Sequence, residues 1–147
     1  MRKLIILCLA IAILFSFGTI ASAKMLKLAL DSGPVSQDPQ VQLSTGMLQY
    51  SHWVFDPLLR FRQDMSFEPR LAERWERIDD LTMRFYLRKG VKFHSGNPFT
   101  AADVKFTFER FYKSPDFKGL FTPFDGCYVV NDHVVDCFWY GEVSGLR

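Results

Sequence analysis

No basic stripe runs through this sequence. Of its 18 Lys and Arg, Arg2 and Lys3 stand at the start, and the other 16 are matched by 16 Asp and Glu. A surface built for phosphate backbones needs a basic excess, so nucleic acid is not an expected partner. A second long apolar run is also missing, which excludes a polytopic membrane protein. His52, His94 and His133 each lack a second ligand at i+2 to i+4, so no metal site is expected. There is no Gly-x-Ser-x-Gly elbow, dinucleotide fingerprint or phosphate-binding loop. Asp79-Asp80 resembles a carboxylate pair only on paper, because adjacent strand residues point to opposite faces and a turn explains them more simply. Nothing supports an enzyme, and no cofactor is called for.

What remains has the make-up of a single globular domain: 48% hydrophobic, 16% aromatic and 23% charged residues. The chain opens with a positive Arg2-Lys3. An apolar stretch from Leu4 to Phe17 follows, interrupted only by Ser16, and then small residues at Ala21-Ser22-Ala23. That order predicts a signal peptide over residues 1–23, cleaved after Ala23, and a periplasmic or secreted mature protein. The competing reading is an N-terminal membrane anchor, for which the apolar core is short against the roughly 20 residues of a spanning helix. A lipoprotein would carry Cys just past the cleavage site, whereas Cys8 lies inside the apolar core.

In the mature part, alternation predicts strands over Met25–Leu30, Leu58–Phe61 and Thr82–Leu87. Turns are marked by Asp31-Ser32-Gly33-Pro34, Asp38-Pro39, Gln63–Ser66, Asp79-Asp80 and Gly90. Val91–Phe93 resumes an extended path that Ser95–Pro98 stops. Met47, Tyr50 and Val54 fall at helical spacing after Ser44-Thr45-Gly46, which predicts a helix over about 47–55 that Pro57 ends. Leu71–Glu76 reads as a short helical or bent segment. Thr100–Asp103 has the form of a capping box, and Val104, Phe108 and Phe111 continue it as the apolar stripe of a helix reaching about Tyr112. Tyr128–Val130 and Val134–Phe138 read as the arms of a hairpin around Asn131-Asp132-His133. Cys127 and Cys137 flank that turn. A three-residue loop sets them directly opposite and allows a disulfide, while other registers leave two small buried side chains. Trp139 and Tyr140, near the end, are harder to place, because little follows for them to pack into.

The run Phe67-Glu68-Pro69-Arg70-Leu71-Ala72-Glu73-Arg74-Trp75 is followed by Met83 to Val104, with Leu-Arg-Lys-Gly-Val, His-Ser-Gly and Thr-Ala-x-Asp-Val in order. It resembles the extracytoplasmic solute-binding proteins of peptide-type ABC importers, the oligopeptide, dipeptide and nickel binding family. Upstream, Leu30, Asp38-Pro39 and Phe55-Asp56-Pro57-Leu58 agree as well, and the likeness extends over about Met25 to Cys137. It implies an α+β fold that forms part of the first lobe of a two-lobed clamp, with Trp75 as a buried plug. The implied partners are a peptide or other small solute and the membrane permease of an ABC importer. It also implies that the segment after Asp38-Pro39, namely Leu43, Ser44, Thr45 and Gly46, contributes one wall of the ligand cleft. Ser44 and Thr45 are equally suited to capping the next helix. Family members are several times longer, and Phe138 to Arg147 departs from their pattern. The expectation is therefore a truncated or frameshifted frame that binds weakly or not at all alone. The competing readings are a non-functional remnant and a small secreted interaction module.

Overall fold

A computed structural model of the protein describes residue 25, residues 27–30 and residues 32–140. The expected signal peptide and residues 141–147 lie outside the described residues. Helix α1 (Thr45–Val54) is followed by a short hairpin, β1 (Leu59–Phe61) and β2 (Phe67–Pro69). Next come β3 (Ala72–Arg77), β4 (Thr82–Leu87), helix α2 (Ala101–Lys113), and the long hairpin of β5 (Phe124–Asn131) and β6 (Val134–Trp139). The last four strands form one antiparallel sheet in the order β3-β4-β6-β5. The fold is the mixed α+β arrangement that the sequence implies.

Alternation decides the sheet's two faces. On β4, Met83, Phe85 and Leu87 are buried, while Arg84 and Tyr86 turn to the other side half-buried. On β6, Val135 and Cys137 join the buried set. With Ala72, Phe99, Ala101, Val104, Phe124 and Cys127 they form the core. Helix α2 covers this inner face. Its start is fixed by the Asp103 carboxylate, which accepts the Thr100 backbone N–H at 2.8 Å and the Thr100 hydroxyl at 2.9 Å. The Ala101 N–H donates to the Asp132 carbonyl at 2.8 Å, tying the helix to the turn of the last hairpin. Val104 is fully packed. Phe108 and Phe111 are half-buried; Phe111 stacks on Phe121 with ring centroids 5.1 Å apart, and Phe108 meets Phe121 edge to face at 5.9 Å.

In the last hairpin Cys127 stands opposite Cys137, and the two sulfurs are joined in a disulfide with the Cα atoms 4.1 Å apart. Gly90 holds the turn after β4 at φ 76°, a conformation that costs a glycine nothing.

Four expectations need correction. Residue 25 and residues 27–30 form no strand, and Leu28 is 56% exposed. No strand pairs with this segment among the described residues, and alternation alone cannot supply a partner. Leu71–Glu76 contributes to β3 and is not helical. Ala-Glu-Arg-Trp-Glu-Arg is a helix-prone composition, but pairing with β4 overrides it, and the bend survives as a register slip between Ala72 and Arg74. Trp75 is half-buried rather than a sealed plug, lying edge-on to Phe67 at 6.1 Å. Trp139 does find a place: its ring meets Phe124 at 5.8 Å, and its backbone N–H donates to the Leu81 carbonyl at 2.9 Å.

Candidate functional site

The segment leading into α1 has almost no regular structure, yet it is pinned along its length. The Ser36 hydroxyl oxygen accepts the Asp38 N–H at 3.0 Å, and the Asp38 carboxylate accepts the Gln40 N–H at 3.0 Å, forming an Asx turn around Pro39. The same carboxylate pairs with Arg110 near the end of α2. That bond first, and the Gln40 amide second, hold the Asp38 carboxyl below the usual carboxylate range. The Gln40 side-chain amide donates to the Thr107 carbonyl at 3.1 Å, and the Ser114 hydroxyl donates to the Gln40 carbonyl at 2.9 Å. Between this strap and the helix end lies an open cleft of about 470 Å³, lined by Gln40, Val41, Arg110, Lys113, Ser114 and Pro115.

The strap delivers Leu43–Gly46 to a defined place. The Leu43 N–H is already taken, donating to the Asp116 carboxylate at 3.1 Å. The Ser44 side chain accepts the Met47 N–H at 3.4 Å and is the N-cap of α1. Of the two roles open to Ser44, the structure shows capping. Gly46 is buried against Ser32: a Cβ there would collide with the Ser32 hydroxyl oxygen and stand 2.8 Å from its carbonyl oxygen. That leaves the exposed side chains of Leu43 and Thr45 as the outward surface of the segment, and the Thr45 hydroxyl has no partner among the described residues.

Sequence reasoning missed the groups that hold this segment. Asp38 read as a turn residue and part of a family match, and Gln40, Arg110 and Asp116 carried no reading. Their partners lie 67 to 74 residues away. No local pattern encodes such pairings. Elsewhere, His52 and His94 are exposed and His133 is half-buried. Among the described residues, no group of three His, Cys, Asp or Glu is placed to hold a metal ion, and no helix is long and apolar enough to cross a membrane.

The sequence profile of the bacterial extracellular solute-binding proteins, family 5 (middle region), matches residues 66–137. Residues 66–137, just under half of the chain, are similar to this family. The matched segment takes in β2, β3, β4, α2, β5 and most of β6, while the pinned strap, α1 and β1 precede it. Among individual proteins, the uncharacterized protein YhjP of Bacillus subtilis is 47% identical over 64 residues, 43% of this chain and 11% of that one. Di/tripeptide-binding protein 1 of Pseudomonas aeruginosa is 40% identical over 99 residues, 61% of this chain and 18% of its own. The crystal structure of Haemophilus influenzae OppA, in complex with the peptide RPPGFSPFR, superposes with a TM-score of 0.69 over 78% of this chain and 26% of that one. At 21% identity that likeness shows a shared fold. The chain spans about a quarter or less of the length of these relatives.

Proposed function

We propose that this chain supplies part of the first lobe of an extracytoplasmic solute-binding protein, with Leu43–Gly46 as one wall of a cleft for a peptide or similar small solute. The solute would pass to the permease of an ABC importer. The observation that carries this reading is the strap. Four side-chain bonds, from Asp38, Gln40, Ser114 and Asp116, fix a segment that would otherwise have no reason to be ordered, and they leave Leu43 and Thr45 facing outward. The di/tripeptide-binding relative supports a peptide as the solute class. With the Leu43 amide and the Ser44 hydroxyl both engaged, the wall offers shape, the Thr45 hydroxyl and backbone carbonyls rather than a row of free amides.

Alone, such a wall binds weakly. Pockets that hold small ligands bury most of the ligand's surface, and a single open face cannot. The apolar side chains of Leu48, Trp53 and Val54 on α1, and of Phe55 just after it, are exposed, as expected for a lobe that packs against further structure. Residues 25–140 transplanted in place of the matching part of the Pseudomonas di/tripeptide-binding protein should give a chimera that retains dipeptide binding in calorimetric titration. Thr45→Ala in that chimera should weaken binding by about tenfold, the effect of one lost hydrogen bond. A folded chimera that binds no peptide would overturn the reading. So would micromolar peptide binding by the 147-residue chain itself, because it would show a complete site within these residues. The exposed apolar face of α1 also fits a small secreted interaction module, which predicts a stable partner protein on co-purification.

A further inference from the structure

The hairpin of β1 and β2 has two unlike faces. On one, Leu59 packs against the core and the rings of Phe61 and Phe67 lie 4.6 Å apart. The other face carries charge. Strand alternation sets Arg60 and Arg62 on it with Glu68 and Arg70 beside them, and Arg60 stands directly across from Glu68. The Glu68 carboxylate nonetheless turns elsewhere: Arg70 Nη2 lies 2.8 Å from it and Arg62 Nε 3.8 Å. Arg88, just after β4, joins the group by donating from Nε to the Arg70 carbonyl at 3.1 Å. Arg60 is left half-buried with no acceptor among the described residues, and the Nε atoms of Arg60 and Arg70 are both buried without a partner. A guanidinium withdrawn from water without an acceptor is costly, and each such group calls for an explanation.

We propose that this face binds a phosphate-type oxyanion, gripped by Arg60 and Arg62, with Arg70 held alongside by Glu68. The charge count selects the class. Arg60, Arg62, Arg70 and Arg88 stand against Glu68 and Asp64, and Asp64, at the tip, has its carboxylate bonded to the Ser66 hydroxyl at 2.6 Å and N–H at 3.0 Å. The remaining excess of two positive charges is what one phosphate group, carrying about −1.5 to −2 at neutral pH, neutralises. A single carboxylate would leave one cation unmatched. A polyanion such as nucleic acid needs a longer basic track, which the even charge balance of the chain withholds. Spacing suits one tetrahedral group, because residues two apart on a strand stand about 7 Å apart on the same side, and long side chains converge from there on one centre. Every cation in the group is an arginine, whose planar fork pairs bidentately with phosphate oxygens, whereas lysine offers a point charge. The inference rests on the hairpin and is independent of the solute-cleft reading.

Calorimetric titration of the full chain, expressed as encoded, with inorganic phosphate at neutral pH and constant ionic strength tests it, with chloride as the blank. The expected dissociation constant is about 1 mM or tighter, the scale of two charge-assisted contacts. Arg60→Gln should weaken binding by at least about tenfold. Arg62→Gln, at an exposed position, should do the same and serves if the Arg60 variant does not fold. Lys105→Gln, on the exposed face of α2, should leave binding unchanged. Glycerol phosphate and vesicles of phosphatidic acid separate two sources of the same chemistry. Binding of the soluble ester without the vesicles assigns a free phosphate, and vesicle binding that inorganic phosphate competes away assigns a lipid headgroup; either supports the proposal. No heat of phosphate binding above the chloride blank overturns it, as does binding untouched by both arginine substitutions. Vesicle binding that phosphate fails to displace also overturns it, because it would reflect the charged surface and not a site for the oxyanion.

Discussion

Arg84 on β4 and Asp136 on β6 face one another in a two-pronged ion pair, Nε to Oδ1 at 2.6 Å and Nη2 to Oδ2 at 2.7 Å. Asp136 is only 8% exposed, although it lies on the face of the sheet opposite α2. The pair extends into a polar row across three strands. The Tyr86 hydroxyl donates to Glu76 at 2.6 Å, and the Arg74 guanidinium lies 3.1 Å from the centre of the Tyr86 ring. Removing one member of a buried, fully bonded pair strands the other, whereas exposed pairs contribute little. Asp136→Ala should therefore lower the urea midpoint well below that of Lys105→Ala, whose partner Glu109 is 3.9 Å away on an exposed helix face. Equal midpoints for the two variants would show that the row is ornamental to stability.

The disulfide is checked by its thiols. With Cys127 and Cys137 bonded, neither should be alkylated without reductant, and mass spectrometry should show the linked peptides. Closing a loop across a sequence separation of 10 stabilises by about 2–3 kcal/mol through the unfolded chain. Cys127→Ala together with Cys137→Ala should cost about that much, with the far-ultraviolet circular dichroism unchanged. An unchanged unfolding free energy would mean that β5 and β6 need no cross-link.

Core packing gives a sharper contrast. Met83 and Phe106 are both large apolar residues, but Met83 is sealed inside the sheet and Phe106 lies on the open face of α2. Met83→Ala should destabilise by about 2–5 kcal/mol, the sum of lost transfer and an unfilled cavity. Phe106→Ser should stay within about 0.5 kcal/mol of wild type. Chemical denaturation of the two variants side by side decides whether the sheet's inner face is the stabilising core.

These contrasts also mark what the sequence alone could reveal. Helix α2 was legible to within a residue or two, because Thr100 and Asp103 announce its start and Val104, Phe108 and Phe111 keep helical period. β4 was legible because Met83, Phe85 and Leu87 alternate cleanly against Arg84 and Tyr86. β3 was not, because its charged, helix-prone residues become a strand only when β4 is beside them. The short β2 was hidden between a turn and a family motif that gave no period. At the candidate wall, Leu43–Gly46 was reached through family resemblance, and the helix cap at Ser44 through local chemistry. The Asp38–Arg110 and Leu43–Asp116 bonds were out of reach, since a contact spanning more than 70 residues leaves no local trace.

Acid should loosen the strap. Asp38 is held below its ordinary value first by its bond to Arg110, and Asp79 first by the Leu81 backbone N–H. Groups with a lowered folded pKa contribute stability that is fully present above the unfolded value, about 3.8, and is lost as pH falls through the folded values beneath it. Stability should therefore be level from neutrality to about pH 5 in these terms and decline below pH 4. Asp38→Asn should flatten part of that decline, read as unfolding midpoints between pH 2 and 6. A variant with the wild-type acid profile would show that the Asp38–Arg110 pair carries no folding energy.

The last test bears on the wall itself. Gly46 sits in the first turn of α1 with Ser32 pressed against its missing side chain, and one of the two close atoms is a backbone carbonyl oxygen that cannot rotate away. Gly46→Ala would favour the helix by its intrinsic propensity, by about 1 kcal/mol, and a surface glycine would gain from the change. Here the contact should reverse the sign. A Cβ at 2.8 Å from backbone forces residue 32 or the start of α1 to move, and strained insertions of one methyl group typically cost about 1–3 kcal/mol. The displacement should also disturb the segment on either side, so amide exchange at Leu43 should quicken as its bond to Asp116 lengthens. A Gly46→Ala protein that is more stable than wild type, with the Leu43 amide as protected as before, would mean that Ser32 does not hold the wall in place.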